Sequence, residues 1–121
     1  MKPLRILIVD DNRDLSDSLG ILLEEQGYLV TVVYSGEEAV DRAREEAIDL
    51  AIIDLKLPGI NGAEVLRAMR RLQPGCQNMI MTGFHVDRLL TEATEDGAVC
   101  VLHKPFPMEK LFTQLAEIQQ N

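Results

Sequence analysis

Leu4-Arg5-Ile6-Leu7-Ile8-Val9-Asp10-Asp11-Asn12 is a short aliphatic run that stops on two adjacent carboxylates and an amide. Three more runs share this form. Leu50 to Ile53 leads into Asp54, Met79 to Met81 into Thr82, and Val99 to Leu102 into His103, Lys104 and Pro105. Short, near-continuous apolar runs followed by helical patterns are the mark of strands buried on both faces, hence of a parallel sheet between two helical layers. In such a sheet ligands bind beyond the carboxyl ends of the strands. Asp10, Asp11, Asp54, Thr82 and Lys104 are therefore expected to meet in one pocket.

Outward from the first run, strand and helix alternate without a linker or low-complexity break. Asn12 precedes a helix with Leu15, Leu19 and Leu22 on its expected inner face, and Gly27 supplies the left-handed stop. A second strand is read over Leu29 to Tyr34. Ser35 and Glu38 have the spacing of a capping box opening a helix that runs to about Glu46, with Ala39, Val40 and Ala43 inward. The loop Leu57-Pro58-Gly59-Ile60-Asn61-Gly62 is rich in turn formers, with both glycines serving turn geometry. A third helix follows, with Val65, Leu66, Met69 and Leu72 inward, closed by Pro74-Gly75. Val86, Leu89, Leu90 and Ala93 define a fourth up to Gly97. Pro107 begins a fifth with Leu111, Phe112, Leu115 and Ile118. The expectation is a single doubly wound (βα)5 α/β domain over residues 1–121, with a five-stranded parallel sheet.

Composition agrees with one globular domain: 121 residues, 46% hydrophobic and 26% charged. No apolar run approaches the roughly 18 residues that span a bilayer, and no cleavable leader precedes Leu4, so no membrane association and a cytoplasmic location are expected. A formal charge of −8 repels phosphate backbones, and any action on nucleic acid would need another polypeptide segment. Cys76 and Cys100 match no metal spacing and are read as small hydrophobes.

Charge sets the chemistry. Carboxylates about 4 Å apart repel by about 4 kcal/mol per pair at an effective dielectric of about 20. Three of them need a cation, and an all-oxygen donor set favours a hard divalent ion, Mg²⁺ above all, with Mn²⁺ also compatible. Three negative charges from Asp10, Asp11 and Asp54 are then balanced by the metal and Lys104. Such a pocket suits a phosphoryl group: metal and lysine screen its oxygens, Asp54 attacks in line, and the Thr82 hydroxyl donates to the product.

These residues resemble the receiver domain of two-component response regulators (CheY-like) over the whole chain. The motifs are Ile8-Val9-Asp10-Asp11-Asn12, Ile53-Asp54-Leu55-Lys56-Leu57-Pro58-Gly59-Ile60-Asn61-Gly62, Met81-Thr82-Gly83 and His103-Lys104-Pro105-Phe106. The resemblance implies a flavodoxin-like strand order 2-1-3-4-5. It implies a phosphorylation-activated signalling switch, a stoichiometric phosphoacceptor rather than an enzyme. Asp54 would take a phosphoryl group from a sensor histidine kinase or histidine phosphotransfer protein and alter contacts with an output domain or downstream protein. It implies Mg²⁺ on Asp10, Asp11, Asp54 and the backbone carbonyl of Lys56, with Thr82 relaying the phosphoryl group's presence, Lys104 paired to one of its oxygens, and a cis Lys104-Pro105 bond.

Several positions are expected to tune the switch. Gly83 leaves room beside Thr82, while Lys56 and Phe84 stand where such domains flank the path of the hydrolytic water. Many receivers carry an aromatic residue three positions before the lysine; here it is Val101, so an aromatic toggle is not expected. His85 and His103 are read as partly exposed polar residues. Each site residue also has a plainer role: helix capping for Asp10 and Asp11, a turn for Asp54, strand packing for Thr82. The enzymatic rival is an aspartyl-phosphate-forming phosphatase or phosphotransferase of haloacid dehalogenase type. That class wants a second acid two residues after the nucleophile, where this chain has Lys56. A flavodoxin-like binding protein would want a phosphate-cradling loop where Asp10-Asp11-Asn12-Arg13 stands.

Overall fold

The computed structural model describes residues 2–83, 88–98 and 100–120. Its elements alternate: β1 (Arg5–Val9), α1 (Arg13–Glu25), β2 (Leu29–Val33), α2 (Gly36–Glu45), β3 (Leu50–Asp54), α3 (Gly62–Leu72), β4 (Gln77–Thr82), α4 (Arg88–Glu95), β5 (Cys100–His103) and α5 (Met108–Gln120). All five strands are parallel, in the order β2-β1-β3-β4-β5. This is the doubly wound arrangement that the four site-bearing runs imply.

The two-residue period of each strand sorts its side chains between two cores. Leu7, Val9, Ala51, Ile53 and Ile80 pack with Ala39, Ala43, Val65, Leu66, Met69 and Ala93 beneath α2, α3 and α4. Ile6, Ile8, Leu50, Ile52, Met79, Met81 and Leu102 pack with Leu19 and Leu23 of α1 and Leu111 and Leu115 of α5. Both faces of the sheet are thus covered, and the polar strand ends emerge on one edge.

The inner face of α1 differs from its leucine pattern. Leu15 and Leu22 are exposed, whereas Ser16, Leu19, Gly20 and Leu23 are buried. Small residues at 16 and 20 explain the shift. A Cβ on Gly20 would lie 3.0 Å from Val32 Cγ2, so the helix approaches the sheet through its narrowest stripe rather than its bulkiest. Leu15 and Leu22 then line a shallow apolar groove with Phe106 and Met108. Val40 and Leu72, read as inward, are half-buried.

Capping also departs in part from the sequence reading. The Glu38 amide donates to Ser35 Oγ (3.1 Å), but the glutamate carboxylate meets the serine hydroxyl rather than the Ser35 backbone. The reciprocal box is at α3: Glu64 N donates to Asn61 Oδ1 (3.0 Å) and Asn61 N to Glu64 Oε1 (3.2 Å). Asn61-x-x-Glu64 carries the same pattern in sequence. Val86 and Val99, placed in the fourth helix and fifth strand, lie outside the described residues; of the α4 positions whose side chains are described, Ala93 is buried and Leu90 half-buried.

Candidate functional site

Each expected site residue stands at or just beyond the carboxyl end of a strand. Asp10 follows β1 and is fully buried, Asp54 closes β3 at 8% exposure, and Thr82 closes β4 fully buried. Lys104 follows β5, after which the Lys104-Pro105 bond is cis. Asp11 stands at the exposed mouth, and one carboxylate oxygen from each of Asp10, Asp11 and Asp54 lies within 4.8 Å of the others. That donor set, all carboxylate oxygen with no sulfur or imidazole, can hold a hard metal ion.

Lys104 organises the acids. Its Nζ donates to Asp10 Oδ2 at 2.8 Å and to Asp54 Oδ2 at 3.3 Å. The other oxygen of each acid meets a backbone amide two residues on, Asn12 N to Asp10 Oδ1 (3.0 Å) and Lys56 N to Asp54 Oδ1 (3.3 Å). Burial, then the charge of Asp10, push the Asp54 carboxyl up to about 6 against the pull of Lys104. Burial opposes the Lys104 ammonium, yet its hydrogen bond to Asp10 and the charge of Asp54 prevail and raise its pKa. The pocket thus holds a carboxylate whose charge is incompletely compensated by one lysine.

Glycine and serine support the acids from below. A Cβ on Gly62 would press on the Asp54 carbonyl oxygen and lie 2.6 Å from Leu55 Cα, and Gly62 N donates to Leu55 O at 3.0 Å. The role of Gly62 is therefore close packing of α3 on the end of β3, not release of a turn; at Gly59, φ is +75° and the turn reading holds. Ser16, buried under the first loop, donates to Asn12 O (2.8 Å), with the carbonyls of Arg13 and Asp10 at 3.3 and 3.5 Å. Neither contact is visible as a motif. At Gly83 a Cβ would meet no described atom within 4 Å. Val101 is half-buried against the α2, α3 and α4 core. Pro105 and His103 are exposed; Phe84 and His85 lie outside the described residues. Burial pushes the Cys76 thiol up to about 12 and raises that of Cys100, so neither is a thiolate at neutral pH.

Strand-end acids, one bridging lysine and a buried threonine on a 2-1-3-4-5 sheet define a phosphoryl-accepting class of α/β domain. A family model described as the response regulator receiver domain matches residues 6–116. The chain belongs to that family. It is 36% identical over 107 residues to a response regulator receiver protein of Anaeromyxobacter sp. (strain Fw109-5), covering 88% of this chain and 45% of the relative. It is 31% identical over 107 residues to sporulation initiation phosphotransferase F of Bacillus subtilis (strain 168), covering 88% and 86%. The chain spans about half the length of the first two of its curated relatives, 45% and 51%. Among solved structures, a CheY-like receiver domain protein of Methanospirillum hungatei JF-1 superposes with a TM-score of 0.88 at 31% identity, covering 98% of both chains. A Burkholderia pseudomallei response regulator with a phosphorylated aspartic acid and a calcium ion gives 0.84 at 28%, covering 97% of this chain and 71% of that one. Receiver domains are phosphoacceptor switches of two-component signalling. The haloacid dehalogenase reading finds no support here, and no described helix is long and apolar enough to cross a membrane.

Proposed function

We propose that residues 1–121 form one receiver domain in which Asp54 is the phosphoacceptor. It takes its phosphoryl group from a phosphohistidine of a sensor kinase or phosphotransfer protein. The observation that carries this is the position of Asp54: buried at a strand end, joined to Lys104 at 3.3 Å and grouped with two further carboxylates. An Asp54 oxygen attacks phosphorus, the phosphorus–nitrogen bond breaks, and the histidine leaves with its electron pair and takes up a proton. Lys104 pairs with a phosphoryl oxygen as it leaves Asp54, and the Thr82 hydroxyl donates to another.

Asp10, Asp11, Asp54 and the Lys56 carbonyl would hold Mg²⁺, or Mn²⁺ in its place, which supplies charge screening of the phosphoryl oxygens when bound. The chain in this reading assists its own phosphorylation and dephosphorylation stoichiometrically, with Lys56 and Phe84 setting the lifetime of the product. Its readers are an output domain or a downstream protein. The domain is cytoplasmic in this reading, and its −8 charge supports the absence of direct contact with nucleic acid.

Incubation with a small-molecule phosphodonor and Mg²⁺ is expected to add one base-labile phosphoryl group, located by mass spectrometry on Asp54. Asp54→Asn keeps the shape and removes the nucleophile. Undiminished labelling of that variant would overturn the assignment.

A further inference from the structure

The loop that carries the Lys56 carbonyl is gripped by α2 at two points, and each point depends on a missing side chain. A Cβ on Gly36 would fall 2.5 Å from Ile60 Cγ1 and 2.9 Å from the Ile60 carbonyl oxygen, so the bare helix start admits Ile60. In return, a Cβ on Gly59 would fall 2.5 Å from Glu37 Oε2 and 3.1 Å from Oε1, so the bare loop admits the glutamate. There the Ile60 amide donates to Glu37 Oε2 at 3.3 Å. Gly36 and Glu37 of one element thus interlock with Gly59 and Ile60 of another.

The place of this clasp in the loop gives it a use. The loop's two ends are already fixed: Lys56 N on Asp54 Oδ1, and Asn61 in its box with Glu64. Glu37 reaches the stretch between. A carbonyl offered to a metal must hold its direction, and each soft backbone torsion beside it spreads that direction. Fixing Ile60 shortens the free path between Lys56 and Asn61.

We propose that Glu37 is a positioning residue for the metal site: its carboxylate, seated in the space left by Gly59, orders the β3–α3 loop so that the Lys56 carbonyl points at the ion. This rests on the metal reading given under Proposed function. The role asked of Glu37 is that of a hydrogen-bond acceptor, which a glutamine can also fill. A bulk electrostatic role would need the charge instead.

The test is calorimetric titration of Mg²⁺ into the wild type, Glu37→Ala and Glu37→Gln, with melting temperatures measured in parallel. Loss of one net hydrogen bond on the loop corresponds to about fivefold weaker Mg²⁺ binding in Glu37→Ala, and Glu37→Gln is expected to restore most of it. Equal affinity in all three, whatever happens to the melting temperature, would leave Glu37 merely structural and sink the proposal while the metal site stands. Equal weakening in Ala and Gln would assign the effect to charge and also overturn it. If the wild type itself takes up no Mg²⁺, the metal reading fails, and the clasp proposal with it.

Discussion

Lys104 Nζ lies 2.8 Å from Asp10 Oδ2, and Asp10 is wholly buried. Among the described residues, the Asp10 carboxylate meets this ammonium and the Asn12 amide. Lys104→Met should destabilise the metal-free protein by about 3 kcal/mol at pH 7, the low end for a buried pair because the lysine side chain is partly exposed. Less should be lost at pH 5, where Asp54 takes up a proton. Denaturant melts of the two proteins at both pH values measure this. Equal stability at pH 7 would show that Asp10 does not need the lysine.

Asp54 supplies a pH dependence of its own. Its folded value, about 6, is above the ordinary 3.8, so the folded state binds the proton more tightly. The associated stability is full below 3.8 and is lost as pH rises through 6. Asp49 has the opposite sign, held low first by its hydrogen bond to Arg5, but its window lies below 3.8. Between pH 5 and 7 the chelated protein should lose about 1 kcal/mol through Asp54, or about 4 °C in melting temperature. Asp54→Asn should flatten that slope. An unchanged slope would contradict the burial assigned to Asp54.

Mg²⁺ should reverse the effect at neutral pH. A ligand held only by the folded state at tenfold above its Kd adds about 1.4 kcal/mol, and chelator should remove that gain. Asp11→Ala should abolish most of the Mg²⁺-dependent shift while leaving the metal-free melt nearly unmoved, since Asp11 is exposed. A full Mg²⁺ response in this variant would remove Asp11 from the site.

Gly62→Ala is expected to destabilise by about 1–3 kcal/mol through overpacking, although alanine favours helices over glycine by about 1 kcal/mol. The new Cβ would be driven into the Asp54 carbonyl and Leu55 Cα. Gly75→Ala, where a Cβ meets no described atom within 4 Å, is the control and should be near neutral. Similar thermal shifts in both would exclude the close-packing role.

A beryllofluoride-type phosphoryl mimic at Asp54 should perturb the amides of Thr82 and Gly83 more than the middle of β5. Val101 has one stiff torsion and cannot exchange inward and outward states as a ring does. Amide chemical shifts with and without the mimic decide this. Rotameric change at Val101 with unmoved Thr82 and Gly83 amides would refute it.

How much of this was legible follows from the distance over which each feature is encoded. The strands and the meeting of Asp10, Asp11, Asp54 and Lys104 were readable because each is a local run ending on a polar group, and the family resemblance supplied the order. The inward face of α1 was not, because leucine spacing is symmetric between neighbouring faces and Gly20 chose between them through contact with Val32. The close packing at Gly62 and Gly36 is not encoded locally for a related reason. Their neighbours, Leu55 and Ile60, are brought near only by the turn of the chain and the packing of α2 on α3. Asn61-x-x-Glu64 is a local signal, but its first half lies inside a stretch dominated by turn formers.

The sheet order seats the two walls of the pocket differently. Asp54 belongs to the middle strand of five, laddered on both sides and backed by Gly62 against its own carbonyl. Thr82 belongs to a strand whose outer neighbour is the four-residue edge strand β5. A group added to the pocket is consequently expected to meet a firmer wall at Asp54 than at Thr82. Displacement is then expected to fall toward Thr82, so that mechanics, before any particular reader is considered, would set the direction in which news of the modification travels.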